Sequence, residues 1–506
     1  MSNRNSPTDF THKRVLVMGL GHFGGGLGAA QWLAAQGAHV TVTDAAPADK
    51  LTDSIKALEA ISPGSFTYHL GGHDLADLDH CDLLVVNPAV DRAKSAFVQA
   101  ALAKGVPTTT EINLFLERCP ACAIGITGSV GKSTTTALIH HALKAALHQQ
   151  DDDPNTQSSV GGGLSPQSSS SPRVFLGGNI GRSLLLELPN IRPQDLVVLE
   201  LSSFMLEETP NVCSSAFRRP SGWSPHIAVV TNIFPNHLDR HGTMEAYAAA
   251  KQNILRFQSK NDIAILNGDH ELISTWDHIS PGTIVKFHAP SPSQKLDLVM
   301  PGMHNQSNAA AALAVLDALQ IPLDRPAARA AIAQFPGLAH RLQCVHTADH
   351  AGRPLRFFND SKATSPDASL TAIQTFDPGT AVFIVGGYDK HLADSAFEKF
   401  DRLLAQRALG VLGIGATGQA MIDRLQKCAA NIRSTDKSAT APRLEYVGTL
   451  EQAVIRTREW TRDLPIQALV LSPASASWDQ FPNYEKRGET FSDLARLHFA
   501  STICSK

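Results

Sequence analysis

Short β-like runs alternate with helical patterns along most of this chain. They fall at residues 15–18, 39–43, 83–86, 123–126, 196–201, 227–231, 263–266, 381–385, 411–414 and 468–471, and most of their side chains are aliphatic. Such runs, spaced by helix-length segments, predict parallel sheets covered by helices, an α/β fold throughout. A length of 506 residues exceeds one core, at about 100–200 residues per domain. Three domains are expected: a Rossmann-like one over 1–121, a central one with a parallel sheet over 122–336, which Gly131-Lys132-Ser133 marks as a P-loop-type ATPase domain, and a Rossmann-like C-terminal one over 337–506. The first break falls near Cys119-Pro120-Ala121-Cys122. The second follows Phe335-Pro336-Gly337, where an Ala-rich helical region over 308–334 gives way to fresh strands.

The stretch Gly125-Ile126-Thr127-Gly128-Ser129-Val130-Gly131-Lys132-Ser133-Thr134 joins one of these runs to a helical pattern. Its glycines let backbone N–H groups turn in on phosphate oxygens. Lys132 adds a mobile positive charge, and the Ser133 hydroxyl is a ligand for phosphate-bound Mg²⁺. The strict pattern wants its first glycine at position 126, which is isoleucine here. That displacement points away from motors and GTP switches, towards a narrower group of ATP users. A second loop, Gly19-Leu20-Gly21-His22-Phe23-Gly24, follows the first run, and Asp44 ends the next. The spacing fits NAD, a nucleoside-diphosphate substrate, or a tight βα turn with no ligand.

Polar residues at the ends of the central runs are placed where open α/β sheets take ligands. Glu200 follows Val197-Val198-Leu199 and suits a Mg²⁺ shared with Ser133. Thr231-Asn232 leads to the polar cluster Asn236-His237-Leu238-Asp239-Arg240-His241, where His237 reads as a metal ligand or as a hydrogen-bonded loop histidine. Lys251, after three alanines on a helix, reads by residue type as a solvated surface lysine.

A net charge of -3 leaves no electrostatic footprint for nucleic acid or an anionic membrane. No apolar stretch approaches the ~20 residues of a bilayer span, and the polar start is no signal peptide, so a cytoplasmic protein is expected. Seven scattered cysteines do not form a disulfide framework. The Cys119–Cys122 pair precedes a strand and lacks the second pair of a zinc site. The polar tract 148–172 is expected to be a disordered surface loop, and 210–225, with Arg218, Arg219 and Trp223, an insertion over the surface.

These pieces, in this order, resemble the Mur ligases, the ATP-dependent amide-bond formers of peptidoglycan precursor synthesis, over nearly the whole chain. The resemblance adds Gly178-Asn179-Ile180-Gly181, Glu200-Leu201-Ser202-Ser203, Gly302-Met303-His304-Asn305 with Asn308, and His340-Arg341 to the two clusters above. Asn359-Asp360-Ser361-Lys362-Ala363-Thr364, Gly386-Gly387-Tyr388-Asp389-Lys390 and residues 471–481 resemble the D-glutamate-adding branch. Tyr484 stands where that branch usually has phenylalanine, and Asn236 where many members have aspartate.

The resemblance implies ATP and two Mg²⁺ ions, with UDP-N-acetylmuramoyl-L-alanine and D-glutamate as the other small-molecule substrates of a monomer. It implies Lys132, His237, Lys251 and Asn179 as catalytic groups, with Lys251 carbamylated, and Ser133, Glu200, His237 and Lys251 at the metals. ATP would be held by Gly128, Ser129, Gly131, Lys132, Ser133, Thr134, Asn308, Arg341 and Asp360. The UDP-substrate would meet Gly21, His22, Phe23, Gly24, Asp44 and Asn87, and D-glutamate would meet Lys362, Thr364, Lys390, Ser477, Trp478 and Tyr484. The implied reaction runs through an acyl phosphate, with domain closure during turnover. A folylpolyglutamate synthase shares the ATP loop but normally lacks a UDP-binding first domain. An NAD-dependent oxidoreductase would need a hydride-transfer constellation, and a nucleotide-binding regulator would not need Lys251, Lys362 and Lys390 together.

Overall fold

The computed structural model describes residues 9–20, 24–148, 171–212, 222–350, 353–437 and 440–499. The chain divides into two compact units, Met1–Ala289 with Ser307–Ala331, and Pro290–Gln306 with Ile332–Lys506. The first unit holds two parallel sheets. One contains β1 (Arg14–Met18), β2 (His39–Asp44), β3 (Phe66–Leu70), β4 (Leu83–Val86) and β5 (Thr108–Thr109), in the order β3-β2-β1-β4-β5. The other contains β6 (Cys122–Thr127), β7 (Val174–Gly178), β8 (Leu196–Glu200), β9 (Ile227–Val230), β10 (Ile263–Asn267) and β11 (Thr283–Phe287), in the order β11-β10-β9-β6-β8-β7. Strand β6, first in sequence, lies between β8 and β9. Its carboxyl end is therefore a topological switch point, the crevice where open sheets bind ligands.

Burial follows position in the sheet. β8 and β9 are buried along their whole length, as expected of interior parallel strands with helices on both faces. The edge strand β3 exposes its second and fourth residues. One apolar cluster runs through both sheets, from Val15 and Val42 through Phe115 and Ala123 to Val197 and Val230. Trp223 belongs to it, and its backbone N–H donates to the Thr209 carbonyl at 3.0 Å. The described residue Trp223 is thus buried and not laid over the surface, as suits an indole; residues 213–221 lie outside the described residues, as do 149–170 of the polar tract.

The second unit holds β12 (Gln343–His350), β13 (Arg353–Asn359), β14 (Ala381–Gly386), β15 (Gly410–Ile414), β16 (Arg443–Gly448) and β17 (Ala468–Leu471), in the order β12-β13-β17-β14-β15-β16. β12 runs antiparallel to β13, so the expectation of parallel sheets fails at this edge. Only residues 351–352 separate the two strands, far too few for a parallel crossover of about a dozen residues or more. The carboxyl ends of β13, β17 and β14 lie side by side.

The Ala-rich region 308–334 is not one helix but parts of two, Met303–Ala318 and Arg325–Gln334. Pro322, between them, has no N–H for a helical ladder. Asp324 starts the second helix by accepting from the Ala327 N–H at 2.9 Å.

Candidate active site

Strand β6 ends at Thr127, and the helix Lys132–Ala146 begins behind Gly131, whose φ of 81° is left-handed. Glycine reaches that conformation without strain. The loop thereby offers backbone N–H groups at a helix N-terminus, where dipole and unpaired donors both favour an anion. Asn232, just after β9, braces it. Its backbone carbonyl accepts from Ser129 N–H at 2.9 Å and its Oδ1 from Val130 N–H at 2.8 Å. The Ser129 hydroxyl lies 3.0 Å from both the Phe234 carbonyl and the Tyr247 hydroxyl. Lys132 Nζ folds back to donate to the Ser129 carbonyl at 3.1 Å, and Ser133 and Thr134 follow in the first helical turn. A Cβ on Gly128 would stand 2.0 Å from Thr231 Oγ1, and one on Gly131 would stand 2.8 Å from Asn308 Oδ1. Asn308 Oδ1 also accepts from the Thr135 hydroxyl at 3.1 Å.

One strand away, register pairs Glu200 with Ile126 and with Gly178. The Asn179 N–H donates to the Glu200 carbonyl at 2.8 Å, and Asn179 Nδ2 donates to Glu200 Oε1 at 3.0 Å. Glu200 is 2% exposed, and its Oε2 has no hydrogen-bond partner among the described residues. A buried carboxylate oxygen left so is costly. A hard cation shared with a hydroxyl would satisfy it, and Glu200 with Ser133 is a donor set that fits Mg²⁺.

Lys251 lies two turns into the helix Met244–Arg256, which Thr243 caps by accepting from Ala246 N–H at 3.2 Å. It is 1% exposed, which reverses the reading of a solvated lysine. Its Nζ donates to the Gly128 carbonyl at 2.8 Å and to Thr127 Oγ1 at 3.2 Å, 4.9 Å from the Tyr247 ring centre. Burial holds its pKa well below the usual lysine range; the Lys132 charge pushes the same way and Glu200 opposes. A neutral amine in this place is a nucleophile, whereas an ammonium would repel a metal.

His237 has a left-handed φ of 54° and precedes the turn of helix Leu238–His241. Its ring lies 4.9 Å from that of Phe204, which also stacks with His241 at 5.3 Å and carries the Arg240 guanidinium at 4.1 Å. Burial lowers the His237 pKa, Asp239 opposes, and Lys132 and Lys251 lower it further. The ring is therefore neutral near pH 7, with a lone pair free to ligate. Among the described residues no three His, Cys, Asp or Glu side chains form a ready metal cluster, so the expected ligand set depends on Ser133 and on a modified Lys251. Phe204 and Tyr247 escaped sequence reasoning, and Thr127, quoted within the phosphate loop, was given no role there. The spacing of Tyr247 four residues before Lys251 was the available signal.

In the first sheet Gly19, at φ 86°, approaches Asn87, and a Cβ on Gly26 would stand 2.0 Å from the Gly19 carbonyl. Asp44 accepts from the Leu20 and Ala46 N–H groups, both at 2.8 Å. Its carboxylate thus ties the glycine turn to the end of β2. Gly24 caps the helix Gly25–Ala35 at φ 83°, and Asn87 Oδ1 accepts from Ala89 N–H at 3.0 Å. Gly21, His22 and Phe23 lie outside the described residues.

The second unit gathers the loops after β13, β14 and β17. Asp360 accepts from Leu342 N–H at 3.1 Å and from Ser472 Oγ at 2.8 Å, and burial pushes its pKa up to about 7. Arg341 lies between His340 and Leu342, both at positive φ. Lys390 Nζ donates to the Thr364 carbonyl at 3.0 Å. The Lys362 ammonium stands 5.4 Å from the Tyr484 ring, which meets His340 edge-on at 5.8 Å. Ser477 is buried, while Trp478 is 64% exposed and packs on Tyr388 at 5.5 Å. Arg487, missed in the sequence, is 1% exposed. It donates to Ser361 Oγ at 3.0 Å, the Ser361 carbonyl at 2.9 Å, and the Ser475 and Ala476 carbonyls at 3.0 Å.

The family described as Mur ligase middle domain matches residues 126–295, and that described as Mur ligase MurD-like, N-terminal domain matches residues 13–110. The chain belongs to the Mur ligase family. It is 34% identical, over 95% of its length, to the UDP-N-acetylmuramoylalanine--D-glutamate ligase of Roseiflexus sp. (strain RS-1), of which 97% is covered. It is 35% identical, over 96% of its length, to the protein of that name from Geobacillus kaustophilus (strain HTA426), of which 98% is covered. In fold it is similar to UDP-N-acetylmuramate-alanine ligase MurC from Thermotoga maritima, with TM-score 0.51 and 19% identity, covering 96% of this chain and 100% of that one. MurF from Acinetobacter baumannii aligns with TM-score 0.50 and 16% identity, over 95% of this chain and 94% of that one. No helix among the described residues is long and apolar enough to cross a membrane.

Proposed function

We infer that this chain is an ATP-dependent amide ligase that joins D-glutamate to UDP-N-acetylmuramoyl-L-alanine in peptidoglycan precursor synthesis. The observation that carries the reading is the buried Lys251 amine, laid on the first carbonyl of the phosphate loop beside the half-satisfied Glu200. A simple nucleotide switch has no use for a desolvated lysine there. On this reading residues 1–121 bind the UDP-substrate, 122–336 bind ATP and 337–506 bind the amino acid. The working compartment is the cytoplasm, and a monomer suffices.

The loop N–H groups and Lys132 hold the ATP phosphates. The substrate carboxylate attacks the γ-phosphorus, ADP leaves, and an acyl phosphate forms. The D-glutamate amine then attacks the acyl carbon; the tetrahedral intermediate expels phosphate, and the amine gives up a proton to solvent. On this reading Asn179 and His237 act at the reacting groups and Asn308 adds an ATP contact; the family resemblance assigns Arg341 and Asp360 to ATP as well. The neutral Lys251 amine adds CO₂ and loses a proton to become a carbamate, a carboxylate-like ligand. Ser133 and Glu200 would hold one Mg²⁺, and His237 and carbamylated Lys251 a second; such ions would neutralise the charge gathering on the transferring oxygens. Lys362, Thr364, Lys390 and Ser477 offer the cations and hydroxyls that two carboxylates need.

The test is phosphate release from ATP with Mg²⁺ and UDP-N-acetylmuramoyl-L-alanine over a panel of amino acids. Release should depend on D-glutamate; release that is indifferent to it overturns the assignment.

A further inference from the structure

Three segments of the first unit meet at Ser183. Its hydroxyl donates to the Glu111 carboxylate and accepts from Leu185 N–H at 3.3 Å. Glu111 opens the helix Glu111–Leu116, which Thr110 caps just after β5. On another side the helix Gly25–Ala35 leaves no spare room: a Cβ on Gly28 would lie 2.5 Å from Ser183 Cβ and 2.8 Å from its Oγ. That helix starts at Gly24, in the candidate nucleotide loop of the first sheet.

Ser183 also closes the loop that carries Asn179. The loop is pinned at its start, where a Cβ on Gly178 would stand 2.2 Å from the Glu200 carbonyl and Asn179 bonds Glu200 through both backbone and side chain. It is pinned at its end by Glu111 and by the crowding at Gly28. Burial pushes the Glu111 pKa up to about 7, and the bond from Ser183 opposes that rise. A carboxyl desolvated at a junction costs stability that an apolar side chain would not.

We propose that Glu111 and Ser183 are positioning residues for the ligase reaction. Their hydrogen bond fixes the far end of the 178–183 loop, and so holds Asn179 on Glu200 in the placement that the nucleotide-bearing helix dictates. The proposal rests on reading Asn179 and Glu200 as active-site groups. Coupling then runs through one hydroxyl, from the helix behind the first glycine loop to the acid beside the phosphate loop.

The experiment measures D-glutamate-dependent phosphate release by Ser183→Ala, Glu111→Ala and Glu111→Gln, each alone and combined with Asn179→Ala, with urea unfolding alongside. Loss of a partner one shell away from a ligand typically costs ten- to a hundredfold, so Ser183→Ala and Glu111→Ala should lose about tenfold in kcat with KM for D-glutamate unchanged. Glu111→Gln, whose amide oxygen still accepts from Ser183, should recover most of the loss. Neither loss should recur on the Asn179→Ala background, because residues acting as one unit are not additive. A kcat within about twofold of wild type for both variants, a loss repeated in full on that background, or Glu111→Gln no better than Glu111→Ala overturns the proposal. If the Glu111 variants do not fold, Ser183→Ala, which removes one oxygen atom, decides alone. Wild-type protein with no D-glutamate-dependent release would defeat the underlying reading instead.

Discussion

Lys251 Nζ donates to the Gly128 carbonyl at 2.8 Å, from a helix 123 residues further along the chain. The peptide it holds opens the phosphate loop, so the state of one buried amine and the set of that loop are coupled. A proton, a carbamate or a deletion at Lys251 is felt where the phosphates bind.

Lys251→Ala should abolish turnover and regain part of it with added formate or acetate, which can enter the space and ligate in place of a carbamate. Lys251→Arg should not be rescued, because a guanidinium neither accepts CO₂ nor leaves room. Phosphate release with and without the carboxylate measures both; a fully active Lys251→Ala excludes the carbamate.

Glu200→Gln should raise the Mg²⁺ concentration for half-maximal activity by about ten- to a hundredfold. Its stability in urea should be equal to or above wild type, since the change removes a buried charge whose Oε2 lacks a partner among the described residues. A Mg²⁺ titration and an unfolding curve on the same preparation are sufficient.

Arg487→Met should raise KM for D-glutamate more than KM for ATP. The guanidinium ties Ser361 to Ser475 and Ala476, and these loops lead to Lys362, Thr364 and Ser477. Unpaired buried carbonyls cost about 1–3 kcal/mol each, so a lower midpoint in thermal unfolding should accompany the kinetic change.

Gly488→Ala should destabilise the second unit by about 1–3 kcal/mol, the usual cost of overpacking. A Cβ there would stand 2.2 Å from His340 Nδ1 and 2.6 Å from Asn359 Nδ2. Differential scanning calorimetry reads the shift; an unchanged transition would mean that His340 moves aside freely.

Asp360 gives a pH dependence of definite sign. Burial raises its pKa from 3.8 to about 7, so the folded chain holds this proton more tightly than the unfolded chain. Its contribution to stability is complete below the unfolded value and is lost as pH rises towards 7, at about 1.4 kcal/mol for each tenfold difference in proton affinity. Asp360→Asn should therefore gain on wild type as pH increases from about 4 to 7. Equal pH slopes for the two in urea unfolding would refute the displaced pKa.

Much of the fold was legible because interior parallel strands are apolar on both faces. All ten runs are strands; the strands not anticipated, β3, β5, β7, β11, β12, β13 and β16, lie at or next to sheet edges, and most mix polar with apolar residues, such as His69, Lys286 and Arg443 placed where water is close. The site was legible where local chemistry is dense, as in Gly128–Thr134 and Asn236–His241. It was illegible where one residue acts through distant partners. Apart from Tyr247 four residues earlier, nothing near Lys251 announces its burial, since the aim of its side chain depends on how its helix lies against β6. Arg487 finds Ser361 only after the sheet has formed, 126 residues away in sequence.

β17 is the last strand in sequence, yet it lies between β13 and β14 in the middle of its sheet. A ribosome making this chain releases Lys362 and Lys390 well before it supplies the strand that sets their loops side by side, and Arg487 emerges later still. Non-local pairing of this kind folds slowly. The loops proposed to bind the amino acid are therefore set side by side late in synthesis, and a nascent chain halted before residue 468 displays their cations without their spacing.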